Sequence, residues 1–210
     1  MPAGLCFAPL TVNVSYPYPV TNRSPQARLR AVILIVAGVA GSGKTTVGAL
    51  LAGRLRWRFA DADTFHPEAN VAKMGAGVPL TDEDRAPWLR AIGDWMDARI
   101  TAGQSAVVTC SALKRAYRDE LLSGRPAATM IFLQVSRDML VNRLNSRHGH
   151  FFPEKLLDSQ LAAVEPPERD ERVYTVLAEG EPEQTAATII GLLWPDGEPK
   201  PEGPPIPGTP

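Results

Sequence analysis

The run Gly38-Val39-Ala40-Gly41-Ser42-Gly43-Lys44-Thr45 has the residue types and spacing needed to hold phosphate. It follows the pattern G-x-x-x-x-G-K-[ST]. In that pattern glycines let backbone N–H groups curl around phosphate oxygens, the lysine adds a point charge and the hydroxyl can ligate Mg²⁺. The chemistry expected is therefore capture of a triphosphate. A glycine-rich turn that merely joins a strand to a helix is the alternative. The motif is complete, an apolar run precedes it and a helix-like segment from Thr46 follows, all of which favour phosphate binding.

Two carboxylates come next. Asp61 and Asp63 lie on alternating positions just beyond a short strand, so they point to different places and can take different work. One could hold Mg²⁺ and the other accept a proton from an attacking hydroxyl, which is the division that phosphoryl transfer requires. A solvated acidic turn is the competing reading, and the nearby phosphate loop weighs against it. The polar stretch 64–89 then supplies His66, Asn70, Lys73 and Arg85, donors suited to a hydroxylated anionic small molecule. Pro87 and Trp88 are expected to pack.

Farther along, Ser111 is expected to cap a helix rather than act as a nucleophile, because no His–Asp relay accompanies it. Cys110 reads as a small core residue. Lys114 or Arg118 could pair with a substrate carboxylate, surface solvation being the alternative for each. The segment 143–152 is basic and joins two helix candidates, so it reads as a lid; a plain turn between helices is the simpler possibility.

These residues need a scaffold that brings them together. Short apolar runs predict strands at 31–36, 58–60, 106–110, 129–135 and 173–177. Helical patterns predict helices at 45–55, 84–101, 114–122, 137–147, 153–163 and 183–193. Alternation of the two predicts an α/β domain with a parallel sheet, whose ligands gather at the carboxyl ends of the strands.

Composition narrows the setting. The chain has 210 residues with 22 basic and 23 acidic side chains and a net charge of −1, which gives no electrostatic reason for a nucleic-acid or membrane partner. Two cysteines, Cys6 and Cys110, make neither a disulfide framework nor a zinc pattern. No apolar run approaches the roughly 20 residues that span a bilayer. A cytoplasmic location is expected. Twelve of the 20 prolines fall in 1–29 and 195–210, so these stretches are expected to be a poorly ordered leader and a Pro-rich tail around a domain at 30–194. The leader lacks the pattern of a transit peptide or a secretory signal.

Taken together, the segments closely resemble the gluconokinase family, a branch of the P-loop kinases related in fold to shikimate and adenylate kinases. The resemblance covers about residues 31–193. It is carried by GVAGSGKTT at 38–46, DADTFHPEANVAKMGAGVPLTDEDRAPWL at 61–89, CSALKRAYRDEL at 110–121 and RHGHFFPEKLLDSQLAAVEPPE at 147–168. The resemblance implies a P-loop NTPase-type three-layer sandwich with a five-stranded parallel sheet and a helical lid. It further implies transfer of the ATP γ-phosphoryl group to the 6-hydroxyl of D-gluconate, with Mg²⁺.

By the same resemblance Lys44, Asp63 and Arg147 are catalytic, with Asp63 as base. Gly38, Val39, Ala40, Gly41, Ser42, Gly43, Lys44, Thr45, Thr46 and Arg143 surround the nucleotide. Asp63, His66, Arg85 and Lys114 bind gluconate, while Thr45 and Asp61 serve the metal. Relatives are often dimers, which allows a homodimer, although no self-complementary surface is legible here. Two features depart from the family pattern. Ala40 stands where many relatives have serine, which removes a hydroxyl and leaves the N–H cradle, and the leader has no family counterpart. The rival readings are a shikimate or nucleoside monophosphate kinase, against which the 61–89 block argues, and a non-catalytic nucleotide-binding module. For the module, no Asn-Lys-x-Asp guanine motif is present.

Overall fold

The computed structural model describes residues 31–146 and 154–197. Its strands β1 (Ile33–Ala37), β2 (Arg58–Asp61), β3 (Ala106–Cys110), β4 (Ala128–Gln134) and β5 (Val173–Leu177) form one sheet in the order β2-β3-β1-β4-β5. Every pairing is parallel. β1 lies at the centre and is buried throughout, which is why its sequence is a continuous apolar run rather than an alternating one.

The two-residue period of that strand divides the core. Ile33 and Ile35 face α3 (Asp82–Thr101), α4 (Arg115–Leu122), α5 (Arg137–Ser146) and α6 (Glu154–Ala162), packing with Trp88, Ile92, Met96, Leu121, Leu140 and Leu157. Leu34 and Val36 face the opposite layer, where α1 (Lys44–Leu55) and α7 (Pro182–Leu193) bring Val47, Leu51, Leu55, Ile189 and Ile190. The result is a three-layer sandwich. Each of these fully buried aliphatic side chains contributes about 1.5–3 kcal/mol, so the sheet is a rigid base for the loops at its carboxyl edge.

The chain leaves β1 through α1 toward the β2 edge and later crosses back over β1 to reach β4. Connections therefore diverge at the centre of the sheet, opening a crevice at the carboxyl ends of β1 and β3. α1 can approach this sheet closely because it carries Gly48: a Cβ there would stand 2.8 Å from Thr109 Cγ2 and 3.0 Å from a Phe59 ring carbon.

Several local expectations are corrected. The stretch after β2, read as a polar segment with no helix assigned, holds a 3-10 turn, Ala62–Phe65, and α2 (Glu68–Gly75). α3 starts at Asp82 because Thr81 forms a capping box, its Oγ1 accepting from Asp84 N at 3.3 Å while Asp84 Oδ2 accepts from Thr81 N at 3.0 Å. Ser111 does not cap α4; Lys114 occupies the N-cap position, and the Ser111 carbonyl accepts instead from Gly38 N at 3.2 Å.

Candidate active site

The phosphate loop is built by backbone conformation before any side chain acts. Gly38 has φ 141°, and a Cβ there would lie 2.8 Å from Ser42 Oγ and 2.9 Å from the Leu133 carbonyl. Gly43, at φ 92°, turns the chain into α1 at a left-handed position that an L side chain would strain. The N-terminus of α1 consequently points its amides and positive dipole end into the crevice. Lys44 Nζ folds over the loop and donates to the Val39 carbonyl at 2.9 Å.

β2 brings the carboxylates to this loop. Thr45 Oγ1 donates to Asp61 Oδ2 at 2.9 Å, joining the first turn of α1 to the end of β2. The other carboxylate oxygen, Asp61 Oδ1, accepts from Asp63 N at 3.1 Å and caps the 3-10 turn. Asp63 is thereby two residues beyond a carboxylate that touches the loop, and it is exposed. Cys110, at the end of β3, reports the shared position of these groups. Burial pushes its thiol up to about 12; the Ala112 amide and the Lys44 ammonium temper the rise, and the Asp63 and Asp61 carboxylates add to it.

α2 and α3 bring a second group of polar residues together. His66 stacks on Trp88 with ring centroids 4.4 Å apart and planes 7° from parallel. Trp88 is fixed in turn by donating from Nε1 to the Ala62 carbonyl at 2.7 Å. Burial lowers the His66 pKa, the Asp63 carboxylate opposes that, and the Arg85 guanidinium lowers it further. Both Asp63 and Arg85 are thus close enough to act on the charge of this ring. Asn70, also buried, donates to the Asp84 carbonyl at 2.7 Å, and Lys73 Nζ lies 2.6 Å from Asp84 Oδ1, so those two side chains tie α2 to α3.

Lys114 comes from the loop after β3. Its Nζ donates to both oxygens of Asp82, at 2.8 and 2.7 Å, and Tyr117 donates its hydroxyl to Asp82 Oδ1. Hydrogen bonds from Lys114 and then Tyr117 hold the Asp82 carboxyl below its ordinary range. Arg85 lies 6.0 Å from the Tyr117 ring centroid and donates to the Leu80 carbonyl. Asp82 and Tyr117 were not expected in this cluster. The only sequence signal for Tyr117 is its spacing of three from Lys114, which becomes meaningful once α4 is known to begin there.

Other assignments are separated from the site. Arg118 cannot reach a substrate carboxylate, because it is fully buried and paired with Glu171 at 2.6 Å. Its Nη1 also donates to the Leu113 and Glu165 carbonyls. Arg143 stays near the loop: its Nη2 donates to the Ala178 carbonyl at 2.9 Å, and Nη1 stands 4.0 Å from where a Gly43 Cβ would be. That places it between the start of α1 and the loop after β5. Thr46 lies in the first turn of α1 and is exposed. Arg147 and most of the lid expected at 143–152, from 147 onward, lie outside the described residues.

The residues present fit Mg²⁺. Thr45 and Asp61 offer hard oxygen donors directly beside the phosphate cradle, and a magnesium ion ordinarily takes one or two protein oxygens together with substrate phosphates and water. No group of three or more His, Cys, Asp or Glu suited to an all-protein metal site occurs among the described residues. No helix among them is long and apolar enough to cross a membrane.

The fold and crevice are those of a P-loop kinase for small molecules, and a family model described as shikimate kinase matches residues 40–190. Closer likenesses refine that class. A gluconokinase of Gluconobacter oxydans is 46% identical over 170 residues, covering 81% of this chain and 96% of that protein. A solved sugar kinase from a Janibacter species superimposes with a TM-score of 0.73 at 45% identity, covering 80% of this chain and 96% of that one. The solved gluconokinase of Sinorhizobium meliloti gives 0.68 at 37% identity, covering 81% and 99%. The chain belongs to the gluconokinase family.

Proposed function

We propose that this protein transfers the γ-phosphoryl group of ATP to the 6-hydroxyl of D-gluconate, giving 6-phosphogluconate and ADP. The observation that carries the reading is the chain of contacts Thr45–Asp61–Asp63, which ties a candidate base to the loop that holds the donor phosphates. The likeness to gluconokinases supports the choice of acceptor.

Loop amides other than that of Ala40, which Gln160 occupies, hold the β- and γ-phosphate oxygens together with Lys44, with Thr46 and Arg143 on the nucleotide side. Bound Mg²⁺, held by Thr45 and Asp61, supplies charge neutralisation on those oxygens. Asp63 receives the proton of the attacking hydroxyl. Its exposure suits a group that must meet a second substrate. His66, whose burial favours the neutral ring, offers hydrogen bonds to sugar hydroxyls, while Lys114 and Arg85 supply positive charge for the acid group at the other end of the acceptor. Most of the rate gain comes from positioning and fixed charge rather than covalent chemistry. The reading includes a cytoplasmic location, favoured by two cysteines whose spacing makes no disulfide framework, and allows a homodimer, as the family resemblance does.

A coupled assay of ADP release with gluconate, shikimate and nucleoside monophosphates tests it. Gluconate is expected to be the preferred acceptor by orders of magnitude in kcat/KM. No ADP release with gluconate, or a higher kcat/KM for another acceptor, overturns the assignment.

A further inference from the structure

One peptide unit of the phosphate loop is held from both sides. The Val39 carbonyl accepts from Lys44 Nζ at 2.9 Å and from Ser42 N at 3.2 Å, and the N–H of the same peptide, on Ala40, donates to Gln160 Oε1 at 2.8 Å. A trans peptide points its C=O and N–H in opposite directions, so Gln160 and Lys44 grip opposite edges of one rigid plane. The orientation of the Gln160 carboxamide follows from chemistry, because a backbone N–H can only donate and the oxygen must face it.

Gln160 reaches the loop from α6, 120 residues along the chain from Ala40. Leu157, one turn earlier on α6, is buried in the core layer that also holds Leu140 and Leu144 of α5. Leu144 itself stands 3.0 Å from where a Gly41 Cβ would be. α6 therefore has a packed base, and Gln160 is a fixed arm rather than a loose surface side chain.

Resting on the kinase reading above, we infer that Gln160 is a positioning residue for phosphoryl transfer. Its carbonyl oxygen fixes the tilt of the Val39–Ala40 peptide. That tilt sets where the Val39 carbonyl holds the Lys44 ammonium, the charge needed at the β- and γ-phosphates. Without the acceptor the Ala40 N–H loses its partner, the peptide is held only from its carbonyl edge by Ser42 N and Lys44, and the carbonyl guides the ammonium less tightly. Gln160 touches neither substrate and acts through Lys44.

The test compares Gln160→Met, which keeps length and helix propensity but has no oxygen acceptor, with Gln160→Glu, which retains one. Affinity for a non-hydrolysable ATP analogue is measured by titration calorimetry. kcat, the KM for each substrate and Tm are measured beside it. Gln160→Met is expected to bind the analogue about fivefold to tenfold more weakly, the scale of one net hydrogen bond, with lower kcat, unchanged KM for gluconate and Tm within a few degrees of wild type. Gln160→Glu is expected to recover most of the affinity.

Analogue affinity and kcat both within twofold of wild type in Gln160→Met overturn the inference. So does a Gln160→Glu protein as impaired as the methionine variant. If methionine repacks α6 and lowers Tm strongly, Gln160→Ala provides the same comparison. The calorimetric result does not depend on the acceptor. Wild type inert toward gluconate would therefore refute the proposed activity and leave the role of Gln160 to be decided by nucleotide binding.

Discussion

Thr45 Oγ1 stands 2.9 Å from Asp61 Oδ2, so one hydrogen bond links the first turn of the loop helix to the carboxyl end of an edge strand. Both oxygens are candidate magnesium ligands, and each holds the other in place. Thr45→Val and Asp61→Asn are each expected to raise the Mg²⁺ concentration for half-maximal turnover about tenfold or more. A Mg²⁺ titration of the rate, at fixed ATP, checks this, and unchanged half-saturation in both variants removes the pair from the metal site.

Asp63 lies one hydrogen-bonded step from that pair through its own backbone N–H. As the base for the acceptor hydroxyl, its carboxylate is worth about 10²–10⁴ in rate. Asp63→Asn is therefore expected to lose turnover on that scale while circular dichroism and Tm stay close to wild type. Near-normal turnover by the folded variant takes the base role away from this residue.

Lys114 is held by Asp82 through two short contacts and by proximity to the Tyr117 ring, whose centroid is 5.6 Å from Nζ. Its hydrogen bond to Asp82 raises the pKa of the ammonium, which favours the charged form. Lys114→Ala is expected to raise the KM for gluconate about tenfold or more and leave the KM for ATP within twofold. Steady-state kinetics with each substrate varied in turn measures the split, and an effect confined to ATP refutes an acceptor-side role.

His66 has a folded pKa depressed below its ordinary 6.5, chiefly by burial against Trp88. Below 6.5 the unfolded chain binds a proton that the folded chain resists, so the contribution of this group lowers stability as pH falls from 6.5 toward the folded pKa, and the loss is complete below it. The expected result is an NMR titration midpoint for His66 under 6.5, together with a smaller acid-side fall in Tm for His66→Gln. A midpoint above 6.5 would show that Asp63 outweighs burial.

Arg118 and Glu171 form an ion pair with side chains 0% and 2% exposed. Burial alone would raise the Glu171 carboxyl; the Arg118 guanidinium and the Glu168 N–H outweigh it and hold the group below its ordinary range. Removing one partner strands a charge in the interior. Arg118→Met is expected to cost about 3–5 kcal/mol by denaturant unfolding, and adding Glu171→Leu should return most of it. If the double variant is no more stable than the single one, the loss is one of packing rather than of an orphaned charge.

The parts of the fold that were legible are those with a strong periodic signal. β1 could be found because a central parallel strand is apolar on both faces, and α1 because Val47, Leu51 and Leu55 repeat on one side. α2 left no such mark. Its one buried residue is Asn70, it exposes Val71 and Met74, and polar contacts to Asp84 hold it, so neither a helical stripe nor a cap is visible in the sequence. Arg118 was misjudged for a related reason. An arginine in a polar helix looks solvated until Glu171, 53 residues away, is brought against it.

The sequence alone determined the phosphate loop, the alternation of strands and helices, and the residue types of the site, because these depend on local spacing and backbone freedom. Folding decided which of the charged groups meet. Asp61 reaches Thr45 because β2 lies at the sheet edge beside β3; Lys114 faces Asp82 because α4 packs against α3; Gln160 reaches Ala40 because α6 lies over the loop. Contacts between residues tens of positions apart are fixed by how buried faces pack, and the order of charges along the chain carries almost no record of that packing.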